Sequence, residues 1–173
     1  MEAFLKLYHC DHEMRIVKDI RRCFSEDFPT LGRVNTLYGE GTAEQWLTYQ
    51  IGQLSLFCGT ENMKGHQLAY LCSYIVGDYY YLSVTQLVYF FHQIKMGKYG
   101  SFYGRVDPQK ITEALHSFIQ QRNDILDTIE NEKREKEMEE DKRKSVPMPE
   151  WFAKKHGLTK DNSLSDILIN HKK

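Results

Sequence analysis

Apolar residues recur at helical spacing along most of the chain up to residue 129. The clearest stripe follows Thr42 and repeats about every four residues, as single positions or adjacent pairs: Trp46, Leu47, Gln50, Ile51, Leu54 and Phe57. Shorter stripes occupy residues 11–24, 63–76 and 83–97. Because the apolar side chains of such a stripe share one face of an α-helix, the pattern predicts amphipathic helices packed in a bundle.

Capping signals mark where several of these helices begin. Thr42 with Gln45, and Ser83 with Gln86, have the form of a capping box, in which a hydroxyl and an amide satisfy the first backbone N–H groups. Pro108 follows an aspartate at 107, which predicts an N-cap and a first helical residue. Residues 28–41 lie between the stripe over residues 11–24 and the stripe that follows Thr42, and they carry a proline and three glycines. We therefore expect a connector there that is partly extended or forms a short helix.

The last predicted helix changes character at residue 130. Its apolar face is interrupted only by Arg122, whereas residues 130–144 contain seven acidic and six basic residues. Such a run predicts a solvated helical extension with ion pairs between successive turns. Two prolines then mark a linker. We predict an all-α fold, with a bundle of about five helices over residues 1–130, a charged helical arm over 131–145 and a flexible tail over 146–173.

Composition and charge narrow the function classes. The chain has 173 residues, of which 41% are hydrophobic, so it can form one domain with a core. A net charge of −1 disfavours a protein whose main work is to neutralise a duplex backbone, although a local basic patch is compatible with it. No apolar run is long enough to span a membrane, the start lacks an export signal, and the four cysteines form no close pair. We therefore expect a cytoplasmic protein with reduced thiols.

Candidate catalytic and metal sites are weak. Residues 9–13 are dense in metal ligands, but no second Cys/His pair lies at a suitable spacing. The chain also lacks the nucleophile and phosphate-binding motifs of the common enzyme classes. We predict no enzyme activity, no metal, and no small-molecule cofactor.

The connection before the last helix concentrates aromatic and basic residues among three glycines. Aromatic rings beside cations are what base stacking and phosphate contact require, so this stretch is a candidate surface for nucleic acid or a partner. The alternative interpretation is that its rings close one end of the bundle while its cations face solvent. The candidate residues are Lys95, Lys98, Tyr99, Phe102, Tyr103 and Arg105.

Residues 53–57 spell a pentapeptide, Gln-Leu-Ser-Leu-Phe, that many bacterial proteins use to dock on the replication sliding clamp. In that interaction Leu and Phe side chains enter apolar pockets while Gln contacts the rim. Against it, two of these residues belong to the apolar stripe of the second long helix, which predicts that they are buried. The candidate docking residues are Gln53, Leu54, Leu56 and Phe57.

The tail carries a second candidate partner-binding segment. Its apolar residues could form a short helix that enters a groove of a partner, and the alternative is plain disorder. The residues concerned are Trp151, Phe152, Leu164, Ile167 and Leu168.

Several stretches resemble an uncharacterised family carried by phages, plasmids and integrated mobile elements of gut bacteria. The most specific is Gly-Lys-Tyr-Gly-x-Phe-Tyr-Gly at residues 97–104; others lie at 28–31, 46–51, 82–91 and 107–111. The resemblance covers about residues 24–126 and leaves the charged arm and the tail outside. The resemblance implies that the protein is encoded on a mobile genetic element, and it implies no particular mechanism. The helical size class is also distantly similar to phage helicase loaders, an analogy at the level of fold.

These features together predict an accessory or adaptor protein of a mobile element, without enzyme activity. We expect it to act in replication or maintenance through contacts with a protein partner at the 97–105 connection and the tail, and the replication machinery is the candidate partner. The alternative hypothesis is nucleic-acid binding by the aromatic and basic residues of the 95–105 connection. Neither hypothesis involves a membrane.

Overall fold

The fold is all-α, as predicted. The computed structural model describes Phe4, Tyr8, residues 12–24, residues 27–144 and Lys155. In these residues it contains seven helices: α1 (Glu13–Val17), α2 (Ile20–Cys23), α3 (Leu31–Tyr38), α4 (Thr42–Cys58), α5 (Gly65–Asp78), α6 (Val84–Lys95) and α7 (Pro108–Lys144). Among the helices the structure describes, none combines the length and the apolar character needed to cross a bilayer.

The count exceeds the expected five because two stretches divide differently. The stripe over 11–24 forms two short helices, since Asp19 adopts an extended conformation and its carboxylate accepts a hydrogen bond from the Arg22 N–H. The connector over 28–41 contains α3, whose N-cap Thr30 accepts from the Arg33 N–H. The Leu31 N–H also donates to the Leu82 carbonyl at 2.9 Å, which fixes the start of α3 beside the start of α6.

Helices begin at all three predicted starts, and two of the three predicted caps are confirmed. Ser83 and Gln86 form a complete capping box at α6. Asp107 accepts a hydrogen bond from the Gln109 N–H at 2.9 Å at the start of α7. The third prediction is wrong: α4 begins after Gly41, which has a φ of 81°, and the Thr42 hydroxyl donates instead to the Tyr38 carbonyl. A glycine already provides the chain reversal there, so no side-chain cap forms.

The core is built from the apolar faces of α4 to α6 and the first turns of α7. Trp46, Phe90 and Phe118 are among its largest completely buried side chains. Phe57 departs from the prediction, because 58% of its surface is exposed. It keeps the helical phase of Trp46, but at this end of α4 its neighbour is the Lys95 ammonium, 5.9 Å from the ring centroid.

The chain divides into two compact units, Met1–Ile129 and Glu130–Lys173. In the second unit, the described residues 130–144 continue the α-helix and are almost all exposed. The predicted ion pairs between successive turns are present, including Arg134 to Glu130 at 2.6 Å and Lys144 to Glu140 at 3.3 Å. The predicted tail residues Trp151, Phe152, Leu164, Ile167 and Leu168 lie outside the described residues.

Candidate binding surface

Lys95, the first residue of the candidate connection, is buried in an ion pair. Its ammonium contacts the Glu13 carboxylate, whose other oxygen lies 2.9 Å from Nδ1 of His92. Only 8% of the Lys95 side chain and 10% of the Glu13 side chain are exposed. This cation therefore ties α1 to the end of α6, and it is not presented to a ligand.

Tyr99 and its neighbours close one end of the bundle. The Tyr99 hydroxyl donates to Gln93 Oε1 at 2.6 Å, and burial raises the pKa of Tyr99 to about 12. The Lys98 ammonium donates to Gln121 Oε1 at 2.6 Å, so it holds the connection against α7. Phe102 is half-buried against the core. These three residues fit the interpretation of the connection as a structural closure.

Glycine allows the connection to turn this tightly. The backbone of Gly100 and Gly104 has φ values of 88° and 75°, a region that favours residues without a Cβ. The Gly104 carbonyl accepts a hydrogen bond from the Glu61 N–H at 2.9 Å, which ties the connection to the segment between α4 and α5. The backbone on either side of Gly104 is therefore held in place.

The two side chains that flank Gly104, Tyr103 and Arg105, face solvent. Tyr103 is 84% exposed, and the Lys110 ammonium lies 5.6 Å from its ring centroid while donating to the Ser101 carbonyl at 3.0 Å. The Arg105 guanidinium forms no ion pair or hydrogen bond with any described residue. Of the six candidate residues in the connection, these two and the exposed ammonium of Lys98 remain accessible to a ligand, whereas Lys95 is buried and Tyr99 and Phe102 are half-buried.

Two adjoining hollows lie beside Tyr103 and Arg105, where α5 meets the start of α7. One, of about 470 Å³, is lined by polar groups that include Arg105 and Lys110. The other, of about 580 Å³, is mainly apolar and is lined by Tyr70 and Tyr74. Both hollows touch Gln67, Pro108 and Gln109. We call this surface the tyrosine cleft and define it by Gln67, Tyr70, Tyr74, Tyr103, Arg105, Gln109 and Lys110.

Tyr70 was not among the predicted site residues. It is 78% exposed, although its neighbours Leu71 and Cys72 are buried in the core. One sequence signal could have found it: a large aromatic residue on the polar face of a predicted helix. Sequence alone does not place that face beside a connection more than 30 residues away, so the cleft is a product of tertiary structure.

The charges in the cleft are few and nearly balanced. Arg105 and Lys110 are its cations, and Asp107 is the carboxylate of the polar hollow. Two cations and one carboxylate leave one net positive charge at the polar hollow. One carboxylate matches that charge better than a run of phosphates does.

The sliding-clamp pentapeptide is helical. Leu54 is buried, as predicted, whereas Leu56 is 69% exposed and Phe57 lies at the surface. Gln53 is half-buried on the same helix. An extended peptide on a clamp would need Leu54 and Phe57 together, so docking would require the last turns of α4 to unwind and would expose core.

The described thiols are protonated near neutral pH. Burial raises the pKa of Cys23 to about 11, and it also raises the pKa of Cys72. Burial raises the pKa of Cys58 against the opposing effect of the nearby Lys95. No group of three or more possible metal ligands occurs among the described residues, and positions 9–11 of the predicted cluster lie outside them.

Fold and surface together define a small all-α protein with an exposed tyrosine and arginine cleft. The chain belongs to a family of unknown function, DUF6633, whose model matches residues 63–157, more than half of the chain. No curated protein and no solved structure matches it. The expected membership of an uncharacterised family is confirmed. The matched residues include the charged run, so the expectation that this run lies outside the family is wrong.

Proposed function

We propose that this protein is a non-enzymatic adaptor that holds a protein partner on its tyrosine cleft, in the replication or maintenance of a mobile genetic element. The observation that carries the proposal is the pair of highly exposed rings, Tyr70 and Tyr103, beside two hollows and an Arg105 that has no partner among the described residues. Tyrosine and arginine are the side chains that most often dominate protein interfaces.

The two exposed rings of this surface can supply a substantial part of a binding free energy. Burying one large side chain contributes about 1.5–3 kcal/mol, so two tyrosines supply roughly 3–6 kcal/mol before any polar contact. An unpaired arginine that gains a carboxylate adds to this value. Association costs about 4–15 kcal/mol, which is as much as the two rings supply or more, so binding also needs the polar contacts and fits a weak, reversible contact rather than a permanent complex.

A protein partner is favoured over nucleic acid by the fate of the predicted basic residues. Lys95 is buried in its ion pair with Glu13, and Lys98 is bound to Gln121. Tyr99 is half-buried, with its hydroxyl engaged by Gln93. With Lys95 buried, the exposed cations of the described connection are Lys98 and Arg105, which is fewer than a continuous row along which a phosphate backbone could lie.

The mobile-element setting comes from the resemblance carried by residues 97–104. In the structure this stretch contributes Tyr103 to the cleft, so the residues that suggest the setting also form part of the proposed binding surface. Expression of such an adaptor in the cytoplasm would place it beside the replication machinery of its host. The similarity to phage helicase loaders is limited to helical content and chain size.

Affinity capture tests the proposal directly. The tagged full chain, a Tyr70→Ala/Tyr103→Ala variant and a Tyr80→Ala control would be incubated with lysate of a gut bacterium, and bound proteins identified by mass spectrometry. Tyr80 is also exposed but lies outside the cleft, so its removal controls for general loss of aromatic surface. We expect a set of proteins that the double variant loses and the control keeps.

Two results would contradict the adaptor hypothesis. The double variant could retain every protein that the unchanged chain captures, which would show that the cleft is not the binding surface. Alternatively, the chain could capture only nucleic acid that is released by salt, which would support the nucleic-acid hypothesis instead.

A further inference from the structure

The two hollows of the tyrosine cleft differ in chemistry although they adjoin. The walls of the apolar hollow include Tyr70, Leu71 and Tyr74, whereas the polar hollow presents the cations Arg105 and Lys110 beside one carboxylate, that of Asp107, which leaves a net positive charge. A ligand that fills both must therefore be apolar at one end and negatively charged at the other. A partner with two like ends would leave either the rings or the cations without a complementary group.

The two glutamines shared by the hollows are free to bind. The side-chain amides of Gln67 and Gln109 form no hydrogen bond within the described part of the chain. Each amide offers both a donor and an acceptor. They lie between the aromatic and the basic parts of the cleft, where the backbone of a bound segment would pass.

A ligand backbone that uses such amides must have free carbonyl and N–H groups. A helical partner has already satisfied these groups internally, whereas an extended or polyproline II segment leaves them available. Aromatic-lined grooves are also the surfaces on which proline-containing segments dock in other proteins. The free glutamines therefore favour an extended segment over a helix.

We infer that the tyrosine cleft binds an extended protein segment in which proline or another apolar residue is followed by an acidic residue. The apolar residue lies against Tyr70 and Tyr74, and the carboxylate contacts Arg105 and Lys110. The backbone between them is held by the amides of Gln67 and Gln109. This inference rests on the proposed adaptor function and specifies the partner's chemistry.

Charge reversal gives the sharpest test. Fluorescence anisotropy would compare two labelled peptides of equal length, one with prolines followed by glutamates and one with the glutamates replaced by lysines. The full chain should bind the acidic peptide at least about tenfold more tightly than the basic one, because only the acidic peptide complements Arg105. In the Arg105→Glu variant this preference should disappear or reverse.

Arg33→Glu is the matched control. Arg33 is also exposed, but it lies on α3 outside the cleft, so its reversal changes the net charge by the same amount. It should retain the preference for the acidic peptide. Thermal unfolding of both variants would show that each is folded before its binding is compared.

Three outcomes would overturn the inference. The first is that the acidic peptide does not bind at concentrations up to about 1 mM. If the Tyr70→Ala/Tyr103→Ala variant nevertheless lost its captured proteins, the adaptor function would stand, with a partner of different chemistry. Equal loss of preference in the Arg33→Glu control would show a general charge effect. Tighter, salt-sensitive binding of an oligothymidine of about 20 nucleotides would overturn both the inference and the adaptor function.

Discussion

Replacing Glu13 with Gln should destabilise the protein, because it leaves the Lys95 ammonium buried without its counter-ion. Breaking a fully buried ion pair by removing one partner costs about 3–5 kcal/mol. Both side chains here keep about a tenth of their surface, and glutamine can still accept a hydrogen bond from Lys95. We therefore expect a loss of about 2 kcal/mol in the free energy of unfolding, below that range.

The measurement is urea denaturation followed by circular dichroism, with thermal unfolding as a second readout. For a chain of this size, a loss of about 2 kcal/mol corresponds to a fall in Tm of roughly 4–8 °C. A Glu13→Gln/Lys95→Met double variant is the matched control, since methionine fills the space of the lysine stem without its charge. It should be more stable than the single variant by about 1 kcal/mol.

The reasoning about burial would be refuted by either of two results. If Glu13→Gln changes the free energy of unfolding by less than about 0.5 kcal/mol, the pair behaves as a solvated surface contact. If the double variant is less stable than the single one, Lys95 stabilises the fold independently of Glu13. The ion pair would then not be the reason why the Lys95 ammonium is buried.

Two further predictions concern backbone conformation and pH. Gly104→Ala should lower the free energy of unfolding by about 1–2 kcal/mol, because the φ of Gly104 is 75°. Gly77→Ala within α5 should raise it by about 0.5–1 kcal/mol, because a Cβ there meets no atom within 4 Å. Urea denaturation measures both changes, and two changes of the same sign would contradict this contrast. Tyr99 has a pKa of about 12 when folded, against about 10 when unfolded. The free energy of unfolding should therefore fall between about pH 10 and 12, and it should fall less steeply in Tyr99→Phe. If it falls equally steeply with pH in the variant and in the unchanged chain, the Tyr99 hydroxyl is not buried.

Much of the fold could be predicted because its signals are local. The capping box at Ser83 and the aspartate before Pro108 depend on residues only a few positions apart, and both start helices as expected. The failures involve competition between local signals. At Thr42 the neighbouring Gly41 supplies the turn, and at Asp19 a side chain caps a new helix inside an apparently continuous stripe.

The candidate site was predicted only in part, because burial is a property of the whole fold. Tyr103 and Arg105 were selected and are exposed, while Lys95 was selected for its charge and is buried against Glu13, 82 residues away in sequence. No local pattern indicates such a partner. Tyr70 and Lys110 were missed for the converse reason: each is an ordinary surface residue of its own helix until tertiary packing brings α5 and α7 together.

The extent of the family match distinguishes among the candidate surfaces. Every residue that defines the tyrosine cleft lies between positions 67 and 110, inside the matched residues 63–157. The sliding-clamp pentapeptide at 53–57 and the end of the tail, with Leu164, Ile167 and Leu168, fall outside them. If members of the family share one binding function, the surface responsible must be built from the part they share. The tyrosine cleft lies within that shared part, and the structure describes its side chains. Trp151 and Phe152 also lie within it, but only their sequence positions are known.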